Sequence, residues 1–155
     1  MKIADVHAHV FPDALAEKAT RSISAFYGAS EPPRPASLSR LLDEHREAQI
    51  TCGVVCTSAT SPSQVRHIND FLAEAVRAHP QYIGFGSVYP GMPGVEEELD
   101  RMLELGLRGV KIHPDFQKLA IDAPEGVETY RAIARRNLPV LFHMGDARSD
   151  LSSPE

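Results

Sequence analysis

The sequence has no run approaching the roughly 18 apolar residues of a membrane-spanning helix. Its first ten residues, MKIADVHAHV, place one Asp and two His where a signal peptide would need an apolar core. The expected location is therefore the cytoplasm. Basic clusters are missing too: Asp plus Glu number 21 against 16 Lys plus Arg, and the formal net charge is -5. Such a field repels phosphate backbones and anionic bilayers, so neither a nucleic acid nor a membrane is expected as partner and a small-molecule substrate is favoured. No glycine-rich dinucleotide loop follows the first apolar run, where VHAHVFP stands. Cysteine is scarce, with Cys52 and Cys56 four apart in TCGVVC. On a strand rising ~3.3 Å per residue they would lie ~13 Å apart, beyond the ~7 Å limit for a disulfide, so they read as buried thiols rather than metal ligands. What remains is an ordinary globular composition, 43% hydrophobic and 24% charged over 155 residues, which suits one domain with a real core.

Five apolar runs read as strands: 2–9 (KIADVHAH), 52–57, 82–89, 107–113 and 138–144. Helical patterns separate them. Ser61-Pro62-Ser63-Gln64 carries an N-cap Ser, a Pro at the first helical position and a Gln three residues after the cap, and an apolar face runs from Val65 to Val76 before His79-Pro80. Glu96, Glu97 and Glu98 favour the start of another helix, with Gly106 as its terminator, and Asp122-Ala123-Pro124-Glu125 opens one that Asn137 ends in a left-handed cap. Helices are also expected over 14–26 and 38–48. The βαβ spacing implies a parallel sheet with right-handed crossovers. Two architectures fit, an open doubly wound sheet and a (β/α)8 barrel. Residues 10–37 follow the C-terminal end of the first strand, on the face that carries ligands, where they would form a lid or a surface insertion without a role.

On the first strand Asp5, His7 and His9 are spaced by two and would project from one face, with Val6 and Ala8 toward the helices. Buried imidazoles beside a carboxylate are costly unless something satisfies them, and a divalent metal would do so, with the acid orienting a ligand ring. The fourth strand ends in His113 with Lys111 on the same face, and the fifth ends in His143. Three strands thus end in His at the edge where parallel α/β proteins place their sites. His45, four residues after Leu41 on its helix, reads as a hydrogen-bonded, half-buried side chain, and His67 and His79 carry no assigned chemistry.

The segments DVHAHVFP (5–12), GLRGVKIHP (106–114) and LPVLFHMGD (138–146) with the ARSDLSSPE tail resemble the amidohydrolase superfamily of metal-dependent (β/α)8 barrels. The similarity is greatest to the amidohydrolase-related group that includes aminocarboxymuconate-semialdehyde decarboxylase-like enzymes. By that resemblance His7, His9 and His143 would be ligands of one divalent ion, Zn2+ first, with Mn2+, Fe2+ or Co2+ as alternatives. His113 and Lys111 would be the catalytic candidates and Asp5 the acid behind the ligands. Asp146 and Arg148 would contact substrate from the loop after His143. Some superfamily members carry a carbamylated Lys on the fourth strand, but GVKIHP resembles a mononuclear branch, so Lys111 is read as a contact for a substrate carboxylate or an ion-pair partner of Asp5.

The implied activity is hydrolysis of an amide, ester or lactone carbonyl, with decarboxylation of an aromatic or unsaturated acid as the alternative. A non-enzymatic open α/β metal-binding module is the further alternative. Residues 1–155 would form the N-terminal part of a single barrel domain, since a complete one typically needs ~250 residues and eight strands. The expectation is a truncated chain that lacks a sixth-strand His and an eighth-strand Asp, binds metal weakly and turns over little by itself. The full-length protein is envisaged as an enzyme and as a homodimer.

Overall fold

A computed structural model describes residues 2–29 and 34–144. Strand and helix alternate: β1 (Ile3–His9), α1 (Asp13–Tyr27), α2 (Leu38–Glu47), β2 (Ile50–Cys56), then a 3-10 turn (Pro62–Gln64) that runs into α3 (Val65–Ala78). They continue as β3 (Tyr82–Ser87), α4 (Val95–Glu104), β4 (Gly109–Ile112), a four-residue α5 (Pro114–Gln117), α6 (Pro124–Arg135) and β5 (Val140–Phe142). All five strands are parallel and lie side by side in chain order. A doubly wound sheet reverses its order beside the first strand, so the sequential order excludes that alternative. Among the described residues the sheet is a curled half-barrel of five parallel strands. Among the described residues β1 and β5 each pair on one side only, and no helix is long and apolar enough to cross a membrane.

Right-handed crossovers place the helices on one face of such a sheet. There Ala8, Val55, Val110 and Ile112 meet Leu72, Leu99, Met102, Leu107 and Ile133 in one buried cluster. Polar groups tie the layers together. Asn69 of α3 is fully buried; its amide oxygen accepts from Ser87 N–H, and its amide nitrogen donates to Ser87 C=O and to Glu98 of α4. Arg101 closes the set on Glu98 and Asp70.

The helix ends follow the sequence signals with one shift. Gly106 (φ 90°) and Asn137 (φ 53°) take the left-handed conformation, and Leu107 N–H donates to Met102 C=O behind the first of them. Ser61 makes no side-chain cap; the Gln64 carboxamide instead accepts from Thr60 N–H and Oγ1–H, one residue earlier than the pattern implied.

Strict alternation fails on β1. Asp5 pairs with Gly53 but Ala8 pairs with Val55, so β1 carries one extra residue between them, a bulge that resets which face each side chain takes. The expected common face for Asp5, His7 and His9 is therefore corrected. Asp5 turns to the helix layer, where its Oδ2 lies 3.2 Å from Nε2 of buried His45 on α2, and Tyr82 Oη lies 3.0 Å from the other ring nitrogen. Val6, expected against the helices, is 68% exposed. Cys52 is also exposed, against expectation, while Cys56 is buried; neither forms a disulfide.

Candidate active site

The C-terminal ends of the strands gather the histidines. The ring nitrogens Nε2 of His7 and His9 lie 3.1 Å apart. On β4, Lys111 follows Gly109 on the interior face, and the next interior position is His113, the residue just before α5. The His113 ring lies between Phe116 (centroids 3.7 Å, interplanar angle 8°) and His143 (4.0 Å, 9°). Gln117 of α5 holds that arrangement. Its amide oxygen accepts from His113 N–H and its amide nitrogen donates to Ala59 C=O and Val88 C=O, which joins the ends of β2, β3 and β4.

Among the described residues, ligand atoms form two groups, each with all its members within 4.8 Å of one another: His7, His9 and Cys56, and His113, Asp115 and His143. His143 thus sits nearer to His113 than to the β1 pair, although it still acts electrostatically on both His7 and His9. Asp115 is 5% exposed and neither carboxylate oxygen has a hydrogen-bond partner; its nearest cationic candidate is His113 Nδ1 at 3.9 Å.

Among the described residues Lys111 is the largest fully buried side chain, and its Nζ has no hydrogen-bond partner. The expected ion pair with Asp5 does not form, because the bulge has turned that carboxylate to His45. Burial pushes the Lys111 ammonium below its ordinary range, with Cys56 opposing. The histidines respond to the same surroundings. Burial, with Lys111 and the neighbouring rings adding to it, pulls His9 down to about 3. Burial, His143 and Lys111 pull His113 down to about 3 against Asp115, and His7 is lowered by burial, Lys111 and His143 against Asp5. These rings are therefore neutral at pH 7 and offer lone pairs. Burial pushes the Cys56 thiol up to about 11, with Lys111 opposing.

Sequence reasoning missed Tyr27. The segment 10–37 reads in the sequence as a lid or an insertion; its described residues, 10–29 and 34–37, fold back over the strand ends: Phe11 N–H donates to Ala36 C=O, Ala36 N–H to Thr20 Oγ1, and Ser37 caps α2. α1 thereby ends with Tyr27 Oη 3.0 Å from His113 Nε2 and 3.1 Å from His143 Nε2. Phe116 N–H donates to His113 Nδ1 (3.4 Å), which leaves the proton of the neutral ring on Nε2. The chain then runs from His113 Nε2–H to Tyr27 Oη and from Tyr27 O–H to His143 Nε2. The helical periodicity of 14–26 stops one residue short of this tyrosine. Asp146 and Arg148 lie outside the described residues.

A cleft of about 780 Å³ opens beside the site, bounded by His9, Phe11, Ile23, Phe71 and Phe116, with Lys18 and His67 among its polar groups. His67, to which the sequence assigned no chemistry, thus faces the cleft.

The donor chemistry fits a divalent ion. Two nitrogens bound tetrahedrally to one zinc ion at ~2.0–2.1 Å sit roughly 3.3 Å apart, close to the 3.1 Å between His7 and His9. A parallel half-barrel with histidines at its C-terminal edge defines the class as a (β/α) barrel with a candidate metal site. The amidohydrolase family model matches residues 4–154, and the chain belongs to that family. It is similar to 5-carboxyvanillate decarboxylase from Novosphingobium aromaticivorans, solved with bound manganese (19% identity, 93% of this chain and 51% of that one, TM-score 0.73). It is also similar to a probable 2-pyrone-4,6-dicarboxylic acid hydrolase from Acinetobacter baumannii with citric acid bound (23% identity, 92% and 49%, TM-score 0.60). At these identities the likeness is one of fold, and the chain spans about half the length of each. No curated protein matches the chain.

Proposed function

We propose that residues 1–155 form the N-terminal part of the barrel of a metal-dependent hydrolase that opens an amide, ester or lactone carbonyl with water. The observation that carries this reading is the convergence of four histidines from β1 and the ends of β4 and β5 near a buried, unpartnered lysine. His7, His9 and His143 would hold the ion, with Zn2+ the first candidate and Mn2+, Fe2+ or Co2+ the others. A divalent ion held there polarises a carbonyl oxygen and lowers the pKa of water toward neutrality.

The remaining steps belong to the side chains. Lys111 adds to the burial that keeps His9 and His113 unprotonated, and lends positive potential to an oxygen that gains charge. The Tyr27 hydroxyl holds His113 Nε2 and His143 Nε2 and so orients both rings toward the substrate. The apolar cleft admits a flat or cyclic substrate and excludes water from its walls. Asp146 and Arg148 complete the proposed substrate contacts, the partner is a small molecule, and a homodimer is the proposed assembly of the full-length protein.

A second reading, decarboxylation of an aromatic or unsaturated acid, is favoured by one observation: the buried Lys111 ammonium lacks the carboxylate that such a substrate would bring. The likeness to a decarboxylase supports it. The test is an assay of the full-length, metal-reconstituted protein against lactones, amides and aromatic acids, following ring opening or bond hydrolysis beside carbon dioxide release. Metal-dependent hydrolysis lost in His9→Ala supports the first reading and carbon dioxide release supports the second. Turnover that survives both chelation and His9→Ala contradicts both.

A further inference from the structure

The interior of the half-barrel brings a third donor to the β1 histidine pair. His9 and Cys56 are register partners across the parallel β1–β2 ladder, and Cys56 Sγ lies within 4.8 Å of the ligating nitrogens of both His7 and His9. Cys56 is fully buried and unbridged at the end of β2, whereas Cys52 is exposed near its start.

An independent observation concerns charge. Lys111 Nζ is fully buried with no hydrogen-bond partner, and its charge acts on Cys56, His7 and His9 together. A buried ammonium with no anion beside it is costly. The carboxylate expected to serve it, Asp5, is engaged by His45 in the helix layer. Cys56 is the side chain on β2 that can supply a negative charge at this spot, and it does so on losing its proton to a cation, since a coordinating thiol is deprotonated.

We propose that Cys56 is a ligand of the ion that His7 and His9 hold, bound through sulfur as the thiolate, with its proton released to solvent as the metal–sulfur bond forms. The proposal rests on the reading that β1 holds a divalent ion. It adds one sulfur to the imidazole nitrogens of the donor set, which selects borderline-soft Zn2+ or Co2+ over Mn2+. It also gives Lys111 the neighbouring anion it lacks, so binding of the ion settles two buried costs together.

The test is the absorption spectrum of the full chain reconstituted with Co2+ in a Cys52→Ser background. Residues 1–155 hold two cysteines, so within them any sulfur-to-cobalt charge transfer in that background comes from Cys56, and the measurement does not depend on whether a Cys56 variant folds. The expected result is an intense near-ultraviolet charge-transfer band beside the visible ligand-field bands of a low-symmetry site. Adding Cys56→Ser removes the former and keeps the latter. Ligand-field bands with no charge-transfer band overturn the proposal while leaving the histidine site standing. Absence of both overturns the histidine site and the proposal with it.

Discussion

The hydroxyl of Tyr27 lies 3.0 Å from Nε2 of His113, which joins the last residue of α1 to the end of β4. The same hydroxyl reaches His143 Nε2 at 3.1 Å, so one phenol orients two rings that are stacked on each other. Tyr27→Phe removes both bonds and keeps the ring contacts with Phe26 and Phe116. The expected cost in stability is modest, about 1–2 kcal/mol, whereas kcat/KM of the full-length enzyme falls by roughly 10–100-fold, the size seen when a group orienting a metal-site histidine is lost. Thermal unfolding and steady-state kinetics on the same variant separate the two effects.

Gln117 is the second support of His113. Gln117→Ala leaves the His113 N–H, Ala59 C=O and Val88 C=O without their partner in a buried setting. The expected loss is about 2–4 kcal/mol, from unsatisfied groups rather than lost apolar area. Urea denaturation measures it, and Gln117→Met, which keeps the volume but not the hydrogen bonds, should recover little of the loss.

Glu98 is buried against Arg101 and Asn69. Burial pushes its carboxyl up, and the hydrogen bonds from Arg101 and Asn69 outweigh that and hold it below the ordinary value. Glu98→Ala leaves Arg101 with its Asp70 ion pair and Asn69 with one acceptor fewer, and should cost about 1–3 kcal/mol, read as a lowered urea midpoint with an unchanged slope.

In the metal-free protein, acid should destabilise the fold through the histidines. His9 and His113 stay neutral down to about 3, while the unfolded chain protonates them near 6.5. Below pH 6.5 the unfolded state therefore binds more protons than the folded one, stability falls as pH drops, and the dependence levels off near 3. His113→Gln should flatten the pH–stability curve over this window, as followed by denaturant midpoints from pH 7 to pH 4. A curve equally steep in the variant would contradict the assignment of a neutral, buried His113.

Much of the fold was legible in the sequence because its signals are local. Apolar runs and the left-handed caps at Gly106 and Asn137 locate strands and helix ends within a few residues. The chain order of the strands was not local, and the pairing register settled it in favour of the barrel. The histidines at the strand ends were equally readable, since β4 and β5 keep the expected alternation. Asp5 was misread because one inserted residue in β1 flips a face, and nothing in ADVHAH announces a bulge. Tyr27 and Gln117 were missed for a different reason. Each acts through a neighbour distant in sequence, 86 residues away in the case of Tyr27 and His113, and no periodic pattern encodes such a contact.

The central claim is that His7 and His9 bind a divalent ion at the C-terminal edge of the sheet. Metal content after reconstitution with Zn2+ and exhaustive dialysis, measured on the full-length protein and on the His7→Ala/His9→Ala double variant, tests it most directly. The account predicts about one tightly held ion per chain in the parent and its loss in a variant that remains folded by circular dichroism. Equal metal content in the two proteins, or none in the parent, would contradict it.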